Sequence, residues 1–340
     1  MEIIRERAFA RAGLIGNPSD GYHGRTIALT IPDFQAEVTL YDWPELEIVW
    51  SRHEQNLFGS VYELADDVRL HGYYGGLRLI KATIKRFVDY CNRHGIRLHE
   101  RNFSVRYEST IPRQVGMAGS SGIVTATLRA LMRFYHVVMP KHIQPSLILS
   151  VETKELGIPA GLQDRVAQVY EGLVFMDFSK SAMREEEGLE YGRYEPLDSA
   201  LLPPLYLAYD DGTSEPTEIV HNTLRARYEM GDSAVHDAMR RLADLTLRAR
   251  QALDDQDANL FGRLIDENFD IRRSICTIAP RQLQMVETAR GAGASAKFAG
   301  SGGAVIGTYR SDAMYSRLVE VMRRIHCRVL KAKPATDKPS

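Results

Sequence analysis

A glycine- and serine-rich stretch, residues 112–122, contains the residue types best suited to binding a phosphate group. Three glycines remove side chains where a backbone turns sharply or approaches a ligand. Two serines place hydroxyl groups beside the free N–H groups of a helix that is predicted to follow, where the helix dipole also favours an anion. These residues are Gly116, Gly119, Gly122, Ser120 and Ser121.

The helix after this loop is predicted from apolar residues spaced three or four apart. Val124, Leu128, Leu131 and Tyr135 form one stripe of an amphipathic helix. A serine-capped helix without a ligand remains an alternative for the stretch. The phosphate loop of P-loop proteins is excluded, because it requires a lysine directly before its Ser/Thr and this chain has Gly119 there.

The composition is that of a globular protein large enough for about two domains. The chain has 340 residues, of which 44% are hydrophobic and 26% charged, and its formal net charge is −1. A near-neutral charge offers no basic surface, so neither nucleic acid nor a membrane is expected as a partner. Three scattered cysteines without a CxxC pair, a charged first segment and no long apolar run predict a soluble cytoplasmic protein.

Hydrophobic periodicity predicts the α+β class. Short apolar runs separated by turns in residues 2–50 predict a largely antiparallel sheet, and the charged run 184–187 is predicted to be a solvated loop. The second half combines predicted helices at 216–230, 233–254, 257–268 and 280–292 with strands at 205–209, 297–309 and 328–331. We expect domains in residues 1–200 and 201–331, and a flexible tail in 332–340.

The pattern Pro112-x-x-x-Gly116-x-x-Gly119-Ser-Ser121 resembles the central ATP-binding motif of the GHMP kinases. This superfamily includes galactokinase, homoserine kinase, mevalonate kinase and phosphomevalonate kinase. The resemblance implies ATP as phosphoryl donor, an N-terminal α/β domain like the second domain of ribosomal protein S5, and a ferredoxin-like C-terminal domain. The implied nucleotide-binding residues are Pro112, Val115, Gly116, Met117, Ala118, Gly119, Ser120, Ser121 and Gly122.

The segment Ala10–Asp20 resembles the first GHMP motif, Gly-Arg-Val-Asn-Leu-Ile-Gly-Glu-His-x-Asp in sugar kinases. Arg11 matches the arginine that stabilises charge on the nucleophile and the transferring phosphoryl group. Asp20 matches the aspartate that accepts hydrogen bonds from sugar hydroxyls. Asn17 and Pro18 replace the Glu-His pair of galactokinases, which argues against galactose and leaves Asn17 as a candidate substrate contact. Taken alone, an arginine in a strand and an Asx turn would be unremarkable.

Two acids, Glu152 and Asp164, lie 12 positions apart (164 − 152 = 12) around a glycine-containing break. Phosphoryl transfer requires a cation on the phosphate oxygens, and Mg²⁺ takes one or two protein oxygens beside its waters. Glu152 and a motif hydroxyl, with Ser121 as first candidate, can supply them. The resemblance implies that Asp164 is the active-site aspartate, which accepts the proton of the attacking hydroxyl or orients it. A solvent-facing glutamate and a helix-capping aspartate are the alternative.

The segment Lys297–Ala304 resembles the C-terminal glycine motif of the GHMP kinases. Its backbone is expected to pack against the ATP loop and to help close the site, with Gly302 as a substrate contact. Without the other two motifs, a glycine-rich bend in a strand would explain it.

Several segments resemble one family of GHMP kinases in particular, the glucuronokinases of plants. They are 11–20, 24–26, 72–76, 111–114, 154–157, 160–170, 268–273 and 297–304. This family phosphorylates the anomeric hydroxyl of D-glucuronate. A uronic acid also requires a cation for its carboxylate, ideally an arginine that forms two hydrogen bonds. Arg25 is the first candidate, followed by Arg113 and Arg165, although each can instead be a structural ion-pair partner.

The sequence thus predicts a Mg²⁺-dependent sugar 1-kinase that acts on D-glucuronate. A GHMP kinase for another sugar, such as galacturonate, arabinose or a heptose, is the first alternative. The second is a regulatory protein that binds sugar and ATP without turnover. The joint presence of Arg11, Ser121, Glu152 and Asp164 argues against it. The oligomeric state does not follow from the sequence.

Overall fold

Two large β-sheets, a two-stranded hairpin and the helices that cover the sheets make up the computed structural model, which describes residues 3–49, 75–186, 188–211 and 218–334. The strands of the first sheet lie in residues 3–197, the first half, and those of the second sheet lie in residues 205–332, the second half. Both halves combine helices with a mostly antiparallel sheet, which confirms the predicted α+β class.

The first sheet has the strand order β3-β4-β2-β5-β8, and β1 also pairs with β2. All its pairs are antiparallel except β3 with β4. Its strands are β1 (Ile3–Ile15), β2 (Arg25–Trp43), β3 (Glu47–Ile48), β4 (Asn102–Ser109), β5 (Leu173–Asp177) and β8 (Arg193–Leu197). Two runs that were predicted separately within 25–43 form the single long strand β2. The predicted loop at 184–187 is wrong for its described part, since β6 (Arg184–Glu186) pairs with β7 (Leu189–Tyr191) as a hairpin.

Four helices of the first half position the loops of the predicted site. They are α1 (Gly76–Arg93), α2 (Gly119–Phe134), α3 (Gln144–Ser150) and α4 (Leu162–Tyr170), and a π-helical turn, Val151–Glu155, follows α3. Helices α2 and α4 pack on β1 and β2, α1 packs on α2, and α3 packs on α4. Helix α2 begins four residues earlier than the predicted start at residue 123. The left-handed backbone of Ala118 (φ 63°) turns the chain directly before Gly119, so Gly119–Gly122 form the first helical turn.

The second sheet is fully antiparallel, with the order β10-β11-β9-β12. Its strands are β9 (Leu205–Asp210), β10 (Lys297–Phe298), β11 (Ala304–Thr308) and β12 (Cys327–Ala332). In order of appearance this is second-third-first-fourth, the ferredoxin-like arrangement. The helices are α5 (Glu218–Glu229), α6 (Ser233–Asp254), α7 (Ala258–Ile275), α8 (Pro280–Gly291) and α9 (Asp312–Arg324). Helix α9 was not predicted, and α7 extends beyond its predicted end at residue 268. The predicted strand 297–309 is divided into β10 and β11 by a glycine-rich turn, residues 299–303, called the glycine turn below.

The two halves share a packed core, because α6 and α7 also contact β1 and β2 of the first sheet. The predicted domain boundary at residue 200 lies between β8 and β9 and remains a prediction. Residues 335–340 of the predicted tail lie outside the described residues. Within the described chain, no helix has the length and apolar character needed to cross a bilayer.

Candidate active site

The predicted phosphate loop leads directly into the N-terminus of α2. Gly116 (φ 68°) and Ala118 (φ 63°) adopt left-handed backbone conformations, and the Ala118 cap makes no side-chain hydrogen bond to the helix. The side chain of the N-cap residue therefore does not bind the N–H groups of the first turn. Such N–H groups can donate hydrogen bonds to a phosphate group. The Val115 and Met117 side chains are each 1% exposed and anchor the loop in the core. A nucleotide would therefore meet their backbone and not their side chains.

Neighbouring segments hold the loop in place through its carbonyl groups. Gln168 Nε2 donates to the Ala118 carbonyl at 2.9 Å, and the Arg11 N–H donates to the Met117 carbonyl at 3.2 Å. The turn after β10 packs on the same loop, because a Cβ atom added to Gly300 would lie 2.1 Å from the Gly116 carbonyl oxygen. The expected packing of the segment 297–304 against the loop is therefore present.

Arg11 joins this loop to Asp164. Its Nη2 lies 2.6 Å from Asp164 Oδ1, and its Nη1 donates to the carbonyls of Ala299 at 2.7 Å and Gly116 at 3.2 Å. Burial would raise the pKa of Asp164, but the charges of Arg11 and Arg165 outweigh it and hold this pKa below its usual value. Asp164 is therefore ionised at neutral pH, and its side chain remains 22% exposed at the start of α4.

Glu152 is 1% exposed and is neutralised by Arg165, which donates from Nε at 2.9 Å and from Nη2 to the same carboxylate oxygen. The other oxygen, Oε1, accepts a hydrogen bond from Ser120 Oγ at 2.7 Å. The predicted partner, Ser121, is fully buried and donates to the Ala118 carbonyl at 3.2 Å. Because the helix starts at Gly119, Ser120 is the serine that faces Glu152.

Asp20 lies in a 3₁₀ turn, Ser19–Tyr22, and its carboxylate approaches the start of α4. A Cβ atom added to Gly161 would lie 2.6 Å from Asp20 Oδ2, so glycine leaves room for the acid. Burial and repulsion from the Asp164 carboxylate raise the pKa of Asp20 to about 7, although Arg11 and Arg165 oppose the rise. The structure thus brings Asp20, Asp164 and Arg11 together.

Asn17 is bound by two residues of the second half of the chain. Its Oδ1 accepts a hydrogen bond from the buried Lys297 Nζ at 2.6 Å, and its carbonyl accepts from Asn268 Nδ2 at 3.1 Å. Burial, and then repulsion from the Arg272 and Arg11 charges, hold the pKa of Lys297 well below its usual value. The Asn17 side chain therefore fixes the loop between β1 and β2 to the second half of the chain.

Two further predicted substrate residues, Arg25 and Gly302, have contacts within the protein. Arg25 Nε pairs with Asp177 Oδ2 at 2.9 Å, directly across the β2–β5 pair. Gly302 (φ 150°) packs against Gln282, since an added Cβ atom would lie 2.4 Å from its Nε2. Gly302 therefore shapes the glycine turn.

Sequence reasoning gave no role to three buried polar residues of the second half. Asn268 Oδ1 accepts from the Gly16 N–H at 2.6 Å, and Arg272 donates to the carbonyls of Gly300 at 2.7 Å and Ser301 at 3.0 Å. Lys297 is the third. Asn268 and Arg272 interrupt the apolar face of α7, and a polar residue on a buried face was the signal that could have revealed them.

Ser120 and Glu152 offer two hard oxygen atoms at the start of α2, which suits a Mg²⁺ ion that keeps most of its waters. Among the described residues, no cluster of three or more His, Cys, Asp or Glu side chains could hold a metal without such help. The donor set therefore fits a metal that is bound jointly with a phosphate ligand.

Comparison with known proteins agrees with this geometry. Residues 78–172 match the family described as GHMP kinases N terminal domain. The chain is 45% identical over 309 residues to Glucuronokinase 1 of Arabidopsis thaliana, covering 89% of this chain and 84% of the relative. Probable glucuronokinase 2 of the same plant is 45% identical over 311 residues, with coverages of 89% and 84%. The solved galactokinase of Lactococcus lactis, complexed with galactose, has a TM-score of 0.75 at 15% identity and covers 98% of this chain and 93% of that one.

The fold is that of the GHMP kinases, which confirms the predicted fold class. The chain belongs to the glucuronokinase family of GHMP kinases. The resemblance drawn from the three motifs is thereby confirmed, whereas the roles of individual residues rest on the contacts described above.

Proposed function

We propose that this chain transfers the γ-phosphoryl group of ATP to the anomeric hydroxyl of D-glucuronate, giving ADP and D-glucuronate 1-phosphate. The observation that carries the reaction class is the contact of Arg11 with both Asp164, at 2.6 Å, and the phosphate loop, at the Gly116 carbonyl. The substrate follows from the 45% identity to Glucuronokinase 1 over 89% of this chain.

In this proposal, the phosphates of ATP bind at the N-terminus of α2, on the backbone from Pro112 to Gly122. A free helix terminus stabilises negative charge without any side-chain rearrangement. Ser120 Oγ and Glu152 Oε1 would hold Mg²⁺, which neutralises charge on the phosphate oxygens when bound. Arg165 fixes the Glu152 carboxylate and balances its buried charge.

Asp164 receives the anomeric hydroxyl of the sugar. Because its pKa is lowered, it is an ionised acceptor that orients the hydroxyl and takes its proton as the oxygen–phosphorus bond forms. The bond from the γ-phosphorus to the bridging oxygen breaks, and the electron pair leaves with ADP. Arg11 stabilises the negative charge that is shared by these groups.

Asp20 accepts hydrogen bonds from other sugar hydroxyls beside Gly161. In the free protein its charge is poorly compensated, as its raised pKa indicates. Hydroxyl groups of the sugar would donate hydrogen bonds to the Asp20 carboxylate and stabilise its charge. These hydrogen bonds would contribute to the free energy of sugar binding.

We also propose that the chain has two domains, residues 1–200 and 201–331, and that the protein is cytoplasmic. The three cysteines are free, as expected in a reducing compartment. The sugar is the expected small-molecule partner.

The proposal is tested by measuring ADP release from ATP and Mg²⁺ with glucuronate, galacturonate, glucose, galactose, arabinose and no sugar. Selective turnover of glucuronate supports it. Turnover of a different sugar would contradict the assigned substrate while keeping the kinase. ATP binding without turnover of any sugar would contradict the proposal and favour a sugar-responsive regulatory protein.

A further inference from the structure

Helix α7 places a buried asparagine against the loop that leads to Asp20. Asn268 is 0% exposed, and its side-chain amide binds the backbone between β1 and β2. We propose that Asn268 is a positioning residue for the sugar: it holds the turn that carries Asp20 in place beside the start of α4. This inference rests on the proposed function, in which Asp20 accepts hydrogen bonds from the sugar, and extends it to a residue of the second half.

The Asn268 amide satisfies two backbone groups of the loop. Its Oδ1 accepts a hydrogen bond from the Gly16 N–H at 2.6 Å, and its Nδ2 donates to the Asn17 carbonyl at 3.1 Å. Asparagine carries a donor and an acceptor on one short side chain, so a single residue can bind both groups. Gly16 and Asn17 are themselves buried, so without Asn268 each backbone group would lose this partner away from water.

The conformation of Gly16 leaves the loop little freedom to rearrange. Its φ is 91°, in the region that favours glycine. A Cβ atom added there would lie 2.1 Å from the Arg25 carbonyl oxygen and 2.3 Å from Thr246 Oγ1 on α6. The loop is therefore packed between the start of β2 and α6, and the Asn268 amide binds it from α7.

The same loop residue supports the turn that carries Asp20. The Ser19 N–H donates to the Gly16 carbonyl at 2.9 Å, and Ser19 Oγ donates to the Arg25 carbonyl at 3.0 Å. Asp20 is the next residue, and its Oδ2 would lie 2.6 Å from a Cβ atom added to Gly161, directly before α4. A continuous chain of hydrogen bonds therefore runs from α7 through Gly16 to the turn that brings Asp20 to α4.

The next turn of α7 has a different target. Arg272, four residues after Asn268, donates to the carbonyls of Gly300 at 2.7 Å and Ser301 at 3.0 Å in the glycine turn. That turn packs on the phosphate loop, where a Cβ atom added to Gly300 would lie 2.1 Å from the Gly116 carbonyl oxygen. Loss of the Asn268 amide should therefore impair use of the sugar and leave use of ATP unchanged.

The first test replaces the amide and measures both substrates. Asn268→Leu is similar in shape and has no hydrogen-bonding group, so it should displace Asp20. It should raise the KM for glucuronate by about tenfold, the loss of one hydrogen bond to a charged group. The KM for ATP should not change. Asn268→Asp keeps the acceptor for the Gly16 N–H and loses the amide donor to Asn17, so it should raise the KM for glucuronate by less.

A double-mutant cycle shows whether Asn268 acts through Asp20. In an Asp20→Asn background, Asn268→Leu should change the KM for glucuronate by less than about twofold, because the group that it positions is already altered. The same increase in both backgrounds would overturn the inference, since Asn268 would then act independently of Asp20. If Asn268→Leu does not fold, Asn268→Asp serves in the same cycle.

Thr308→Val is the matched control for a loss of stability alone. Thr308 is buried in the second half, and its Oγ1 lies 2.9 Å from Ser295 Oγ. This variant should lower the Tm and leave both KM values unchanged. If wild-type protein phosphorylates glucuronate and Asn268→Leu lowers the Tm without changing either KM, Asn268 has a structural role only and the proposed function stands. If wild-type protein does not phosphorylate glucuronate, the proposed function fails and the inference fails with it.

Discussion

The negative charge of Asp164 acts on Asp20, and the pKa values of the two carboxyl groups are shifted in opposite directions, upward for Asp20 and downward for Asp164. Asp164 pairs directly with Arg11 and Arg165, which hold its pKa below the usual value. At Asp20, burial and the negative charge of Asp164 raise the pKa to about 7. The charges of the same two arginines oppose this rise but do not cancel it. The candidate site therefore contains one acid that stays ionised and one that takes up a proton near neutral pH.

Asp164→Asn should reduce kcat by about 10²- to 10⁴-fold, because an amide cannot accept the proton of the anomeric hydroxyl. ATP binding should change little, since the nucleotide is expected on the loop before α2. Steady-state kinetics with a nucleotide-binding titration on the same preparation checks both points. An unchanged kcat would remove Asp164 from the catalytic role.

Asp20→Asn should stabilise the free protein while weakening sugar binding. The pKa of Asp20 is raised from 3.8 to about 7, so the stability linked to its proton is fully present below pH 4 and lost as pH rises through 7. Removing the charge should increase the free energy of unfolding at pH 8 by about 1–3 kcal/mol, with no gain at pH 4. Denaturant unfolding at both pH values measures this. A loss of stability at pH 8 would contradict the account.

The pH dependence of sugar use should report the same group. Sugar hydroxyls donate to an ionised carboxylate, so kcat/KM for glucuronate should fall as the pH decreases below about 7. Asp20→Asn should have a lower kcat/KM throughout and should lack this acidic limb. A limb that persists unchanged in the variant would assign the titration to another group.

The Mg²⁺ dependence of turnover should distinguish the roles of Ser120 and Ser121. Ser120→Ala removes the hydroxyl that lies 2.7 Å from Glu152 Oε1 and should raise the Mg²⁺ midpoint for turnover on the order of tenfold. Ser121→Ala removes a hydrogen bond to the Ala118 carbonyl and should cost about 1 kcal/mol of stability, with the midpoint unchanged. The opposite pattern would restore the sequence-based choice of Ser121.

Gly300→Ala should disrupt the contact between the two glycine segments. The new Cβ atom would lie 2.1 Å from the Gly116 carbonyl and 2.8 Å from Arg11 Nη1. We expect a loss of about 1–3 kcal/mol in stability, together with a lower kcat because Arg11 is displaced. Gly291→Ala is the control, since no neighbouring atom lies within 4 Å of its Cβ position. Equal thermal shifts in the two variants would contradict this packing.

The sequence was sufficient for features that depend on local pattern. Apolar spacing predicted α6 at the residues where it occurs, and three separated motifs predicted that Arg11, Asp164 and the glycine loops would share one site. Each of these signals lies within a short window, where spacing and glycine content are directly related to backbone geometry.

Side-chain partners that lie far apart in sequence could not be predicted in this way. Arg25 is paired with Asp177, 152 positions away, and Asn17 with Lys297, 280 positions away. The choice between Ser120 and Ser121 depends on the residue at which α2 begins, and helix ends are poorly specified by sequence pattern. Partner identity therefore required the folded chain.

The most direct test of the central claim is NMR on the product formed from D-glucuronate, ATP and Mg²⁺. A correlation between phosphorus and the anomeric proton would show that the phosphate is on the anomeric oxygen, which is the result that the account predicts. A correlation to any other sugar proton, or no phosphorylated glucuronate at all, would contradict it.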